Sequence, residues 1–325
     1  MSPPLLEHQR GRGGPGGPDV VGIGQISLDF VATTQRLPAP GEKADADGLE
    51  RRPGGQAATT LLGCTRLGLE TLFVGCVGDD AEGRAALAPL RAAGVDVSHV
   101  RSHAGVPSRT AQIWVERTSG ERAVLGYRDP RLVLEEGDLP LESVRSARLL
   151  HLDTSDPRPA AVAARAAHEA GIPVVLDADA PGAGLRQLLP LVDFPVVSRA
   201  FAETFFETSR VREALERLLA AGARMAVVTL GDRGALARCG SEEIRCPAWP
   251  IEARDTTGAG DAFLAGLIWG LLEGFEARAV LRAAAAAAAL NCRAPGAQGG
   301  LPDRAELRAF LEREQPGPWI DPGPP

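Results

Sequence analysis

The feature that most limits what this chain can fold into is a rhythm: short apolar runs alternate with segments whose apolar residues fall at helical spacing. VVGIGQISLDF (20–30), TLFVGCVGDD, ARLLHLD, IPVVLDAD, DFPVVS and MAVVTLGDRGAL each read as a buried strand. Between them, QAATTLLGCTRLG, EGRAALAPLRAAG, residues 158–170 and REALERLLAAG read as helices. That order predicts an α/β fold with a doubly wound, mostly parallel sheet flanked by helices. One block breaks it. Residues 108–127 hold two β-rich runs around TSGE, a hairpin signal that predicts a small β-sheet projecting from the main body, while residues 31–52 read as polar and irregular. Two helices, roughly 261–273 and 277–292, close the pattern, and the alanine run in the second is assigned to helix propensity and tight packing alone.

Composition narrows the function. The 325 residues are 44% hydrophobic, enough for a large core, and the net charge of −7 is spread among interspersed acids and bases. Neither nucleic acid nor an anionic membrane is favoured by that balance, so the expected partner is a small molecule. Five cysteines without a CxxC pair argue against a zinc site or a disulfide framework and fit reduced thiols in the cytoplasm. The N-terminal segment has no signal-peptide core, and no apolar run of about 18 residues follows. Residues 1–18 are expected to form a flexible tail, 19–316 one domain and 317–325 a loose end.

The string DTTGAGDAF (255–263) carries the chemistry. Small residues let backbone N–H groups approach a ligand, and a helix starting near the second aspartate aims its positive dipole end at the same point. An anion belongs there. A carboxylate beside that anion would repel it unless it takes a proton from a hydroxyl attacking it. Phosphoryl transfer fits, with Asp261 as base and the Gly258–Ala259–Gly260 amides stabilising the transferring charge. The plainer alternative is a helix cap after a glycine turn.

DTTGAGDAF resembles the signature of the ribokinase-like (PfkB) carbohydrate kinase family, and the likeness runs from about residue 19 to about 312. GQISLD, RPGGQAATTLLGCTRLG, FVGCVGDDAEG, LHLD and VTLGDRGAL match family motifs in the same order. The resemblance implies a β-sheet lid, here about 31–52 and 107–130, over a sugar held by Asp29, Gly54, Gly55, Gln56, Thr59 and Asp153. It implies ATP and Mg²⁺, with Thr229, Gly231, Gly234, Thr256, Asn291 and Gly296 on the nucleotide side. Asp255 and Thr257 would join the CRAPGAQGG loop near a monovalent cation such as K⁺, and a homodimer through the lid is the expected assembly.

Departures point to a branch. Ribokinases carry Asn where this chain has Thr59, and the Mg²⁺-associated NxxE motif is replaced by SRAFAE, with Ser198 and Phe201 at its key positions and Glu203 as the substitute. The ketohexokinase-like branch shows the same loss, and RTAQIWVERTSGERAVLGYRD and LNCRAPGAQG also resemble it, which implies a ketose. In that branch Arg122 becomes a candidate for the ATP phosphates. Lys43, Arg51 or Arg52 could read a phosphorylated or sulfonated ketose, or could be solvated surface charge. The rivals are a nucleoside kinase of the same fold, disfavoured by few lid aromatics, and a catalytically silent sugar sensor. The GIGQIS turn is only a partial dinucleotide fingerprint. Asp177 and Asp179 form a weak DxD metal motif in which Asp179 is expected to face the cleft, and His99 and His103 are placed in a loop.

Overall fold

The computed structural model describes residues 5–6, 16–118, 122–182 and 184–322. Most of the expected N-terminal tail, the last three residues and positions 119–121 of the hairpin turn lie outside them. The described strands are β1 (Val20–Ile23), β2 (Ser27–Thr34), β3 (Gly48–Gly54), β4 (Thr71–Gly78), β5 (Asp96–His103), β6 (Thr110–Glu116), β7 (Arg122–Tyr127), β8 (Leu149–Leu152), β9 (Val174–Ala178), β10 (Phe194–Ser198), β11 (Met225–Thr229), β12 (Ala235–Cys239) and β13 (Glu242–Cys246). The helices are α1 (Gln56–Arg66), α2 (Ala81–Ala93), α3 (Leu141–Ser146), α4 (Pro157–Glu169), α5 (Leu185–Leu188), α6 (Arg199–Phe205), α7 (Val211–Ala220), α8 (Ala259–Leu272), α9 (Ala277–Asn291) and α10 (Arg304–Arg313).

The large sheet has the order β13-β12-β11-β10-β9-β8-β1-β4-β5 and is parallel from β11 to β5, with β12 and β13 antiparallel at one edge. Its central strands, β1, β4 and β8 to β11, are buried on both faces, whereas β5 at one edge is largely exposed. Val21, Ile23, Leu150, Leu152, Val174 and Leu176 pack towards α4 and its neighbours. Val20, Leu149, Val175, Phe194 and Val196 pack towards α8 and α9 on the other face. Close packing of those two helices explains the alanine run. A Cβ on Gly266 of α8 would lie 2.7 Å from the Ala283 carbonyl oxygen and 2.9 Å from Ala284 Cα, so larger side chains on either helix would force them apart.

The small sheet, β3-β2-β6-β7, corrects two expectations. Residues 20–30 are not one strand: β1 ends at Ile23, and β2 starts at Ser27 in the other sheet. Nor is 31–52 irregular throughout, since β3 pairs antiparallel with β2 from Ser27↔Gly54 to Thr33↔Gly48. GLERRPG has no apolar alternation because β3 is a mostly exposed edge, held by the β2 ladder. Its neighbour β6 runs parallel to β2 and antiparallel to β7. His99 and His103 lie on β5 instead of in a loop, about 13 Å apart along the strand. Register puts Asp29, Arg52 and Ala111 on one face of the small sheet and Phe30, Arg51, Gln112 and Leu125 on the other. The second face exposes Leu49, Trp114, Leu125 and Tyr127. No helix among the described residues is long and apolar enough to cross a membrane.

Candidate active site

The chain enters α8 through Gly258, a left-handed residue at φ +73°. A side chain there would be doubly excluded, because a Cβ would also stand 2.4 Å from the Ala297 carbonyl oxygen. Gly260 is different: a Cβ would meet nothing within 4 Å, so the room above its backbone is free for a ligand. Asp255 shapes this turn. Its carboxylate accepts from Thr257 N at 2.8 Å and Gly296 N at 2.7 Å, and these bonds, opposing the upward push of burial, leave its pKa below the ordinary value. Asn291, fully buried, donates to the carbonyls of Thr257 and Ala297 and accepts from Gly300 N. The turn and the 291–300 loop are thereby one braced unit.

The small sheet meets this unit. From β7, Arg122 Nη1 donates to Thr256 Oγ1 at 2.6 Å, and Arg52 of β3 lies against Gly296. On the other side of the turn opens a cavity of about 620 Å³, lined by Thr229, Gly231, Gly234, Thr256, Ala259 and Gly260 among others. Pro250, Ile251, Ala285, Ala288 and Ala289 complete its apolar wall. The alanine run therefore does more than pack. One face of α9 closes on α8, and another keeps space open for a flat apolar group.

Asp261 sits in the first turn of α8, between this cavity and a cluster of acids. Burial, and then the charges of Asp177, Asp153, Asp179 and Asp29, raise its pKa well above the carboxylate range. Asp177 is raised by burial and by Asp153 and Asp179, partly offset by the hydrogen bond it accepts from Gln56 Nε2 at 2.9 Å. Gln56 in turn accepts from Gln25 Nε2 at 2.6 Å, and Gln25 N donates to Asp153 Oδ2 at 2.7 Å. A continuous polar chain thus joins the ends of β1, β8 and β9 to the start of α1. Asp29 is raised by burial, against the Ser27 hydroxyl bonded to it at 2.8 Å and the Arg109 charge.

A comparison of the whole chain decides its kinship: the model of the pfkB family of carbohydrate kinases matches residues 18–304. The chain belongs to that family. A ribokinase of Bacillus subtilis is 30% identical over 291 residues, covering 89% of this chain and 98% of that protein. An ATP-dependent 6-phosphofructokinase of Thermoanaerobacterium thermosaccharolyticum is 26% identical over 310 residues, covering 90% and 94%. Among solved structures, Arabidopsis thaliana ribokinase complexed with ribose and ATP is similar at a TM-score of 0.79 with 28% identity, covering 91% of this chain and 99% of that one.

Against the pfkB pattern, several side chains take other duties than the sequence suggested. At the altered NxxE region, Ser198 caps α6 by accepting from Phe201 N at 3.0 Å, and Phe201 is buried in a stack on Phe205 with centroids 5.0 Å apart. Glu203 is held by Arg199 at 2.8 Å. Among the described residues no group of three or more His, Cys, Asp or Glu side chains could hold a metal ion. Thr59 is fully buried and accepts from Gln298 at 3.2 Å, so it supports the C-terminal loop instead of facing a sugar. Asn291, fully buried with its amide bonded inside the protein, braces the loop and offers nothing to a nucleotide; Gly296 contributes its N–H to Asp255. Asp153 is 1% exposed and accepts from Gln25 N, Ser155 N and the Ser155 hydroxyl, which makes it an anchor beneath the site. It is Asp177, not Asp179, that is hydrogen-bonded into the polar chain. Gln25 was missed altogether, although a glutamine after Gly-x-Gly at a strand end is a visible signal.

Proposed function

We propose that this pfkB-family chain transfers the γ-phosphoryl group of ATP to a hydroxyl of a ketose or related sugar. The observation that supports this best is the position of Asp261, directly after the Ala259 and Gly260 that line an apolar, glycine-edged cavity and within reach of a cluster of acids. The nucleotide takes the cavity, its base against Ala285, Ala288 and Ala289 and its phosphates towards Gly231, Gly234 and Thr256. Asp261 removes the proton from the sugar hydroxyl as it attacks. The amides of Gly258 and Gly260, at the positive end of α8, hold the charge that develops on the transferred group, whereas the Ala259 amide expected to join them is spent on the Thr256 carbonyl at 3.2 Å. Arg122, carried by the small sheet to Thr256, adds a cation beside the phosphates when that sheet closes over the acceptor.

Mg²⁺ would accompany the nucleotide and neutralise its phosphate charge, held mainly by the nucleotide and water, since no group of three or more His, Cys, Asp or Glu among the described residues could hold it. The outer row Leu49, Trp114, Leu125 and Tyr127 supports pairing of two copies through the small sheet, which sedimentation tests. ADP release measured across ketoses, aldoses, sugar acids, sugar phosphates and nucleosides tests the activity. One acceptor should respond, and Asp261→Asn should abolish the response while calorimetry still detects ATP. Turnover unaffected by Asp261→Asn would refute the assigned base; a nucleoside as the responding acceptor would refute the sugar.

A further inference from the structure

Two arginines stand together at the acid-rich end of the pocket, and they are served very differently. Arg128 is fully engaged: it meets Asp156 at 2.7 Å and donates to the carbonyls of Ser155 at 2.9 Å and Leu132 at 2.8 Å. Arg109 is half-buried, yet among the described residues its guanidinium has no hydrogen bond and no carboxylate oxygen within ion-pair distance. Its backbone is fixed. Leu28 N donates to the Arg109 carbonyl at 3.1 Å, and the preceding Ser108 is clamped by Asp80, whose carboxylate accepts from its N–H at 2.7 Å and its hydroxyl at 2.6 Å.

Register then sets direction. Residue 110 pairs with Leu28 and 111 with Asp29, so Arg109 belongs with Ser27 and Asp29 on the face that carries Arg52 and Arg122 to the catalytic turn. The charges that reach it are Asp153, Arg128, Asp156 and Asp29. Burial lowers its pKa in spite of the three acids, so the charge is under-compensated where it stands. Val115, the β6 partner of Arg122, lies six residues further along the chain, about 20 Å at strand spacing, which places Arg109 at the end of the small sheet away from the turn that Arg122 meets.

We propose that Arg109 receives an anionic group on the acceptor, a carboxylate or a phosphate, at the end opposite the hydroxyl that is phosphorylated. A planar fork of donors without partners fits two acceptor oxygens in one plane. The basic residues first offered for such a group lie elsewhere: Lys43 is exposed, Arg51 covers the Phe30 ring on the outer face at 5.3 Å, and Arg52 is paired with Glu50.

This assignment rests on the kinase reading but is tested apart from it. Binding of D-fructose, D-fructose 6-phosphate and 2-keto-D-gluconate is measured by calorimetry on the Asp261→Asn protein, and ADP release on the wild type. One of the two anions should exceed fructose by about hundredfold in affinity and in kcat/KM, the phosphate and carboxylate arms naming the group. In Arg109→Met that ratio should fall by about hundredfold, and Arg109→Lys should restore part of it. Arg109-dependent anion binding without ADP release would keep this assignment and remove the kinase reading. Fructose turned over as well as both anions, a preference that survives in Arg109→Met, or no binding of any probe would overturn it.

Discussion

The two halves of the cleft are built on opposite principles. On the side proposed for the acceptor, side chains do the work: Asp177, Gln56, Gln25 and Asp153 form a polar chain, with Asp29 held separately by Ser27, so most groups already have partners. On the side proposed for the nucleotide, the backbone does it, with glycines and alanines leaving the cavity open. A polar group fixed by its neighbours selects sharply, because an acceptor that fails to replace water leaves it unpaired. An apolar slot selects by shape. Asp261 touches both halves, so its loss should have the largest effect: Asp261→Asn is expected to lower kcat by about 10³-fold with little change in ATP affinity. A comparable loss in ATP binding would mean that Asp261 belongs to the nucleotide half alone.

The two glycines of the turn sharpen the contrast. Gly258→Ala strains the left-handed backbone and collides with Ala297, so it should destabilise the fold by about 1–3 kcal/mol and lower its melting temperature. Gly260→Ala enters open space, so the melting temperature should hold while turnover falls about 10- to 100-fold, the methyl standing where the transferred group must come. Equal melting temperatures for the two variants would break the distinction. A smaller effect is expected at the far wall. Ala288→Leu should raise the KM for ATP about tenfold without altering acceptor affinity, and a matching change in both would show that the halves are not independent.

How much of this was legible depended on where the information resides. The centre of the parallel sheet was readable because β1, β4 and β8 to β11 are buried on both faces and so written as apolar runs. The turn into α8 was readable because its backbone geometry demands glycine at 258. By contrast β3 was hidden: its edge position asks nothing of its side chains, and only pairing with β2 makes it a strand. Thr59 and Asn291 show the limit for single residues. Both lie in motifs that the family resemblance linked to ligands, yet here Gln298 and the 291–300 loop claim their polar atoms, a tertiary fact that no local pattern carries. The alanine run was read as packing because alanine has no functional group; an empty volume leaves no mark in a sequence.

The smallest expected effect tests the electrostatic side of the comparison. Asp29, Asp177 and Asp261 have pKa values raised in the folded protein, so folding holds their protons more tightly than the unfolded chain does. Their contribution to stability is present below the ordinary aspartate pKa and is lost as pH rises through the raised values. Asp80 and Asp255, held by backbone and hydroxyl donors, are lowered and work in the opposite sense: their contribution is present at neutral pH and lost as pH falls through the lowered values. Asp177→Asn keeps an acceptor for Gln56 but removes a negative charge from the crowd. It should raise the melting temperature near pH 7 and do little at acid pH, where Asp177, held well above the ordinary aspartate value, is already protonated. The same change relieves Asp261, which must be ionised to take a proton, so the acidic limb of kcat/KM should move to lower pH. An acidic limb that stays in place while stability rises would mean that Asp177 is coupled to the fold and not to the base, and the acid cluster would then be a structural feature of the acceptor half instead of a device that tunes Asp261.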